Sequence, residues 1–311
     1  LTAADGAPTQ RPPDATQSTA SYIVPGEIVD ITPKLCPCNL PFNTDDAEGG
    51  LESAADVGDS ATENHEVLAQ GSAFVGRHLK LHKLIKYCLD HPLTAVYGAV
   101  GQGKSALCLE AARFLRLRGY FPHGIFCCSL KGLRSMKQVR ARLGAVLNFP
   151  ARSDKELLDH MAQYSSALLI LDCCEAAIDE AKTQFCWFVE RLLLAGVHVL
   201  IASQQRLHGF QPSDEKLDRA NLYGEIVLDS MSTRDSALLL LELCERDIDC
   251  EELGESDEVS VLDALRRHAL LKKLGTPSSV RWAARKLTGV SVPELLKELG
   301  ELKPREQAKL M

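Results

Sequence analysis

This sequence has no surplus of positive charge, no long apolar run and no paired-cysteine spacing, and each absence removes a class of function. Lysine and arginine number 35 against 42 aspartates and glutamates, a formal net charge of −7. A broad nucleic-acid-binding face needs the opposite balance, so nucleic acid is not expected as a partner, although a local basic patch stays open. Nowhere do the roughly 20 consecutive apolar residues of a membrane-spanning helix occur, so no membrane is expected either. No secretory signal is recognised in this sequence, whose first residue is Leu1 rather than Met. We therefore expect a piece of a longer multidomain protein that works in the cytoplasm. The eleven cysteines include no C-x-x-C pair, which argues against a structural zinc site. Most sit in apolar runs, where a thiol behaves as a small hydrophobe, and free thiols fit a reducing compartment. Cys36-Pro37-Cys38 could still share a metal with a partner chain. No internal repeat at solenoid spacing is present.

What is present is a chain of 311 residues, long enough for one large domain or two medium ones. Its centre of organisation is the stretch 93–118. Leu93–Tyr97 is a short apolar run that predicts a buried strand. A glycine-rich turn follows: Gly98, Ala99, Val100, Gly101, Gln102, Gly103, Lys104, Ser105. Next comes a helical run with Leu107, Ala111, Phe114, Leu115 and Leu117 on one face. Strand, glycine loop and helix together match the G-x-x-x-x-G-K-[ST] phosphate-binding signature in its proper setting. A triphosphate is a dense anion that backbone N–H groups must wrap. Glycine supplies the backbone angles for that and keeps side chains away. The first helical turn, Lys104 to Ala106, adds unpaired N–H groups and the positive end of the helix dipole. Lys104 is expected to reach the β- and γ-phosphates and Ser105 to ligate Mg²⁺, which makes ATP or ADP with Mg²⁺ the expected cofactors.

In chain order, residues 1–20 are rich in Ala, Pro, Thr and Asp and cannot bury enough surface to order themselves. Residues 21–42 allow a short strand or the end of an earlier domain, and residues 43–66 read as linker. Phe74-Val75-Gly76-Arg77 is a compact turn leading to a helix with Leu79, Leu81, Leu84, Ile85 and Leu89 on one side. Further strands are expected at 124–130, 167–171, 197–202 and, more weakly, 225–228. Helices are expected at 134–147, 154–164 and 177–195. This alternation implies a parallel sheet with right-handed crossovers. Its ligands should lie at the carboxyl ends of the strands, where 98–105, Asp172 and Ser203 all fall. From Ser232 only helices are expected: 233–246, 258–273, 278–288 and 293–300. The fold class is thus α/β: a P-loop NTPase parallel sheet with helices on both faces, then a small all-helical domain. The expected divisions are 1–66, mostly disordered linker; 67–230, the nucleotide-binding domain; 231–303, the helical subdomain; and 304–311, a tail.

Asp172 closes an apolar strand two strand–helix units after the loop, where a carboxylate can hold Mg²⁺; it can equally cap a strand at a solvent edge. Glu175 can orient or deprotonate an attacking water, or simply open the next helix. Ser203 can hydrogen-bond near the γ-phosphate, or be an ordinary strand-end serine. Arg77 and Pro277 can contact the nucleotide, or serve as a surface charge and a helix start.

The ordered set of motifs resembles the signal-transduction ATPases with numerous domains (STAND), the group that contains the NB-ARC proteins. Phe74-Val75-Gly76-Arg77 looks like that family's F-V-G-R motif, and 98–105 its phosphate loop. Leu168-Leu169-Ile170-Leu171-Asp172-Cys173-Cys174-Glu175 is similar to its L-L-V-L-D-N-C-E Walker B form. Val199-Leu200-Ile201-Ala202-Ser203 stands where the family has its sensor strand, and Gly275-Thr276-Pro277 where it has a G-x-P motif. The resemblance implies a nucleotide-controlled switch that ADP holds closed and ATP opens for assembly, with partner proteins or self-association. It implies that Val75, Arg77 and Pro277 line the adenine side and Lys104, Ser105 and Asp172 the phosphate side. Two positions depart from the pattern. Gln204 stands at the sensor arginine, with Arg206 a possible substitute, and Cys173 stands where Asn or Asp is usual. No winged-helix segment follows, so this chain alone is not expected to run the whole cycle. The reading is a switch module with slow Mg-dependent ATPase activity at most. The alternative is an AAA+-like energy-coupling ATPase acting on nucleic acid or protein assemblies. A small-molecule kinase would need an arginine-bearing lid, and none can be identified.

Overall fold

A computed structural model describes residues 74–207, 222–256 and 258–301. The expectations for 1–66, Cys36, Cys38 and 304–311 lie outside these residues. The described chain opens with α1 (His78–Asp90) and β1 (Leu93–Tyr97). It continues through α2 (Lys104–Leu117), β2 (Ile125–Ser129), α3 (Met136–Val146), α4 (Asp154–Met161), β3 (Leu168–Asp172), α5 (Glu175–Leu194), β4 (His198–Ser203) and β5 (Tyr223–Val227). Helices α6 (Thr233–Leu243), α7 (Val261–Arg267), α8 (Ala269–Lys273), α9 (Pro277–Lys286) and α10 (Val292–Glu301) follow.

The five strands form one sheet in the order β2-β3-β4-β1-β5, and every pairing is parallel. Both faces are covered. On β3, Leu169 and Leu171 face one apolar cluster with Phe126, Phe185 and Phe188. Leu168 and Ile170 face the other, with Leu84, Leu107 and Leu115. That alternation on a fully apolar strand is the mark of a parallel strand buried on both sides. Helices α3, α4 and α5 cover the first face, and α1 and α2 the second. This is the P-loop NTPase α/β fold. The strand order turns back beside β1, and β4 lies between the loop-bearing strand and the strand that ends in Asp172. Such a switch point leaves a crevice beyond the carboxyl ends of the strands.

The later helices bury a cluster of their own, with Leu240, Leu265, Val280, Leu287 and Leu295 at its centre. Arg246 pins this unit together. It pairs with Glu252 at 2.6 Å, and Glu252 also accepts the Val292 amide at 2.5 Å. The Arg246 guanidinium holds the Glu252 carboxyl below its ordinary pKa.

Several expectations change. Leu117, expected on the apolar face of α2, is 70% exposed. Leu79 does not share the buried face of α1: it is 88% exposed, while Leu84 and Cys88 are buried. Leu81, Leu84, Ile85 and Cys88 follow one helical stripe, and Leu79 lies round the helix from it. The single helix expected over 258–273 breaks at His268, which has φ −63 and ψ 144. Its Nδ1 accepts the Leu270 amide at 3.3 Å, so a side-chain cap replaces the continuing helix. Helix α5 is kinked at Ala181, with φ −131 and ψ 31. Among the described residues no helix is long and apolar enough to cross a membrane.

Candidate nucleotide site

The loop after β1 makes a tight turn because two glycines take left-handed angles, Gly101 at φ 74 and Gly103 at φ 78. An L side chain at either position would be strained. Gly98 is needed for space: a Cβ there would stand 3.0 Å from the Leu228 carbonyl oxygen. Helix α2 starts at Lys104, so its first-turn amides, including those of Ser105 and Ala106, have no partner within the helix. Lys104 is 9% exposed. Its Nζ donates to the carbonyl oxygens of Gly98 at 2.9 Å and Ala99 at 3.0 Å. Val100 and Ala106 are exposed at the mouth of the loop, and Gln102 is buried beneath it.

Ser105 Oγ donates to Asp172 Oδ2 at 2.6 Å. The other oxygen, Asp172 Oδ1, is buried without a hydrogen-bond partner. Burial raises the Asp172 pKa above the ordinary carboxylate range, against the Ser105 hydroxyl and the Lys104 charge, which lower it. An orphaned carboxylate oxygen beside a serine hydroxyl is an all-oxygen donor set, and it fits Mg²⁺. A bound cation would supply the charge that this buried group lacks and bring its pKa down. Among the described residues no cluster of three or more His, Cys, Asp and Glu forms a second metal site.

Ser203 ends β4 beside Tyr97 and is fully buried. Its Oγ accepts the Gln205 amide at 3.2 Å. Glu175 opens α5, and its carboxylate accepts the Gln204 amide at 2.8 Å. The two candidate catalytic groups are therefore drawn together by the turn after β4. Arg206, considered as a substitute sensor, instead pairs with Glu225 at 2.9 Å. Cys173 follows Asp172 in a left-handed conformation, φ 55. Burial, with the Asp172 and Glu175 charges, pushes its thiol pKa up to about 12, so it stays a neutral thiol.

The remaining candidates come from the two ends of the described chain. Phe74 packs on the sheet cluster, and Val75 packs on the helical cluster. Gly76 has φ 74, and a Cβ on it would stand 2.6 Å from Asp235 Cγ in the first turn of α6. Arg77 donates through Nη1 to the Gln102 carbonyl, and through Nη2 to Gln102 Oε1 at 3.1 Å and the Asp229 carbonyl at 2.6 Å. Its burial lowers the guanidinium pKa, while Asp229 and Asp235 raise it. Pro277 opens α9 behind a capping box made by Thr276 and Ser279. It lies over the loop: a Cβ on Gly103 would be 3.5 Å from Pro277 Cγ, and the Ser278 amide donates to the Gly101 carbonyl at 3.2 Å. The structure thus brings Arg77 and Pro277 to the loop, while Val75 packs on the helical cluster. Sequence reasoning missed Asp229 and Ser278, which act through backbone atoms and carry no side-chain signal.

No protein-family model matches the sequence, and no curated protein matches it. Among solved structures, a Walker-type ATPase of Pyrococcus abyssi is similar at 16% identity and a TM-score of 0.49, over 73% of this chain and 71% of that one. The ORC2 protein of Aeropyrum pernix, in ADPNP–ADP complexes, is similar at 12% identity and a TM-score of 0.48, over 75% and 70%. A replication initiator DnaA bound to AMPPCP and single-stranded DNA is similar at 15% identity and a TM-score of 0.44, over 74% and 67%. The fold assignment stands on the strand order and on the glycine loop after β1.

Proposed function

We propose that this chain is an ATP/ADP-binding module in which the bound nucleotide governs how the later helices close over the loop. Lys104 would hold the β- and γ-phosphates, with the amides from Gly101 to Ala106 around them. Ser105 and Asp172 would hold Mg²⁺, which supplies positive charge between the phosphates. Val75 and Pro277 would flank the base. The observation that carries the reading is the conjunction at one point of the Ser105–Asp172 hydrogen bond and the α9 amide of Ser278 on the loop carbonyl of Gly101. The STAND-type switch is the finer form of the proposal, and slow hydrolysis at most fits it. Glu175 is occupied by the Gln204 amide, and Arg206 by Glu225, so neither faces a phosphate unaided.

The second reading is an AAA+-like energy-coupling ATPase acting on nucleic acid or protein assemblies. The similar solved structures favour it in kind: one is a replication initiator carrying an ATP analogue and single-stranded DNA. The net charge of −7 weighs against a DNA-bound role.

Calorimetric titration of ADP and ATP, with Mg²⁺, tests the shared proposal. Removing a charge-assisted contact to phosphate by Lys104→Ala is expected to weaken binding about a hundredfold. Equal binding by both proteins, or by neither, ends it. Steady-state ATPase activity with and without single-stranded DNA separates the readings. Slow turnover that ignores DNA supports the switch, and fast DNA-stimulated turnover supports the motor.

A further inference from the structure

Arg77 is a charged side chain that touches both the phosphate loop and the segment leading from the sheet into the helices, where Leu228 also lies against Gly98. Its guanidinium donates to the carbonyl and the side-chain oxygen of Gln102 on one side. On the other it donates to the carbonyl of Asp229, two residues beyond the end of β5 and three before the cap of α6 at Ser232. Arg77 thus donates to a backbone carbonyl on each side, Gln102 in the loop and Asp229 after β5. The neighbouring contacts follow the same path. Gly76 lies against Asp235 on α6, and Lys80 Nζ donates to the Val227 carbonyl at 2.8 Å. The opening turn of α1 therefore grips the connection 227–235 at several points, and through Arg77 the grip extends to Gln102 in the loop.

We propose that Arg77 is a positioning residue that couples the loop to the hinge: its fork holds Gln102 and Asp229 in common, so a change in one is felt at the other. The coupling rests on the nucleotide reading above. A loop that reshapes around an anion turns the peptide planes between Gly101 and Gly103, and the Gln102 carbonyl turns with them. Because the same planar group holds Asp229, the base of α6 must adjust or the fork must break. A guanidinium suits this role because its N–H donors have fixed directions. A lysine has its three donors on one freely rotating nitrogen and cannot reproduce the guanidinium's two separated donor nitrogens in one plane.

The test is hydrogen exchange on the whole chain, with and without saturating ADP–Mg²⁺, for the wild type, Arg77→Lys and Arg77→Met. In the wild type, ADP is expected to change exchange of the amides in 229–235 by about fivefold or more, the lower end of typical coupling between sites. In both variants that response is expected to vanish at saturating ADP, while exchange at the loop amides still responds. Three outcomes overturn the coupling: a wild-type response restored by Arg77→Lys, which makes Arg77 a charge acting on phosphate; a response at 229–235 that persists in both variants; and loss of the thermal unfolding transition in both variants, which makes Arg77 a general structural residue. A wild-type chain that binds no ADP sinks the nucleotide reading and the coupling with it. A wild type that binds ADP while its variants respond alike sinks the coupling alone.

Discussion

The floor of the site is one continuous stretch of chain closed by a single distant carboxylate, whereas its roof is assembled from segments far apart in the sequence. The floor runs from β1 through 98–105 into α2 and is fixed by the sheet, whose strands are buried on both faces. The roof consists of the turn 74–77 and the start of α9; Phe74 and Val75 anchor the turn in the sheet and helical clusters, and a few polar contacts tie the roof to the loop: Arg77 on Gln102, and Ser278 on Gly101. The first kind of construction is rigid because displacing it would uncover a core. The second can shift at the expense of a few hydrogen bonds, each of about 0.5–1.5 kcal/mol net. A site with a stiff floor and a loosely held roof can bind tightly and still transmit the binding as motion.

Substitutions should separate the two halves, and the largest effect is expected where the roof meets the helices. Gly76→Ala forces a side chain into a left-handed conformation and against Asp235. It should destabilise the chain by about 3 kcal/mol, read by urea unfolding, through backbone strain and overpacking together. A change of less than about 1 kcal/mol would mean that the turn and α6 are not pressed together as described.

Next in size is Lys104→Ala on the floor, with its hundredfold loss of affinity and little change in stability. Pro277→Ala on the roof removes only apolar contact and should weaken ADP by about tenfold or less. If the proline mattered more than the lysine, affinity would live in the roof and the comparison would be reversed.

Asp172→Asn tests the floor without emptying it, because the asparagine oxygen can still accept from Ser105. Burial raises the Asp172 pKa in the folded state. A raised carboxyl pKa favours folding below the ordinary carboxylate range and is lost as the pH rises through the raised value. The neutral variant should therefore unfold no earlier than the wild type at pH 7, with the difference shrinking at acid pH, by differential scanning calorimetry. Its nucleotide affinity should no longer depend on Mg²⁺. A variant that is less stable at pH 7 and keeps its Mg²⁺ dependence would remove Asp172 from the metal role.

The smallest effect is expected at Thr276→Ala. The threonine caps α9, and loss of such a cap costs about 1 kcal/mol. Because α9 carries the roof, the variant should loosen ADP slightly while leaving the loop amides' exchange unchanged. Faster exchange in the loop would show that roof and floor are not separable.

The strands were the most legible part of the fold. Leu93–Tyr97, broken only by Thr94, and 167–171 are short apolar runs ended by a glycine or an aspartate, the length and boundary that suit a doubly buried strand. The fifth strand was weaker in the sequence because Gly224 and Glu225 interrupt its apolar pattern, and it begins at Tyr223 rather than 225. Helix faces were read less well. Leu79 was assigned to a stripe it does not join, and the break at His268 depends on a ring nitrogen competing with the helix for an amide. In the site, the glycine loop was read from its spacing, whereas the hydrogen bond of Ser105 with Asp172 came only with the packing of α2 beside the end of β3. Arg206 did not follow, because its partner Glu225 sits on a strand whose position beside β1 no local pattern reveals.

By itself the sequence determined the elements and the shape of the loop, since glycine angles, apolar period and the first helical turn act over a few residues. Only the tertiary structure decided what Arg77, Glu175 and Ser278 touch. Their partners are backbone atoms of remote segments, every residue offers the same backbone atoms, and packing alone selects which of them come within reach.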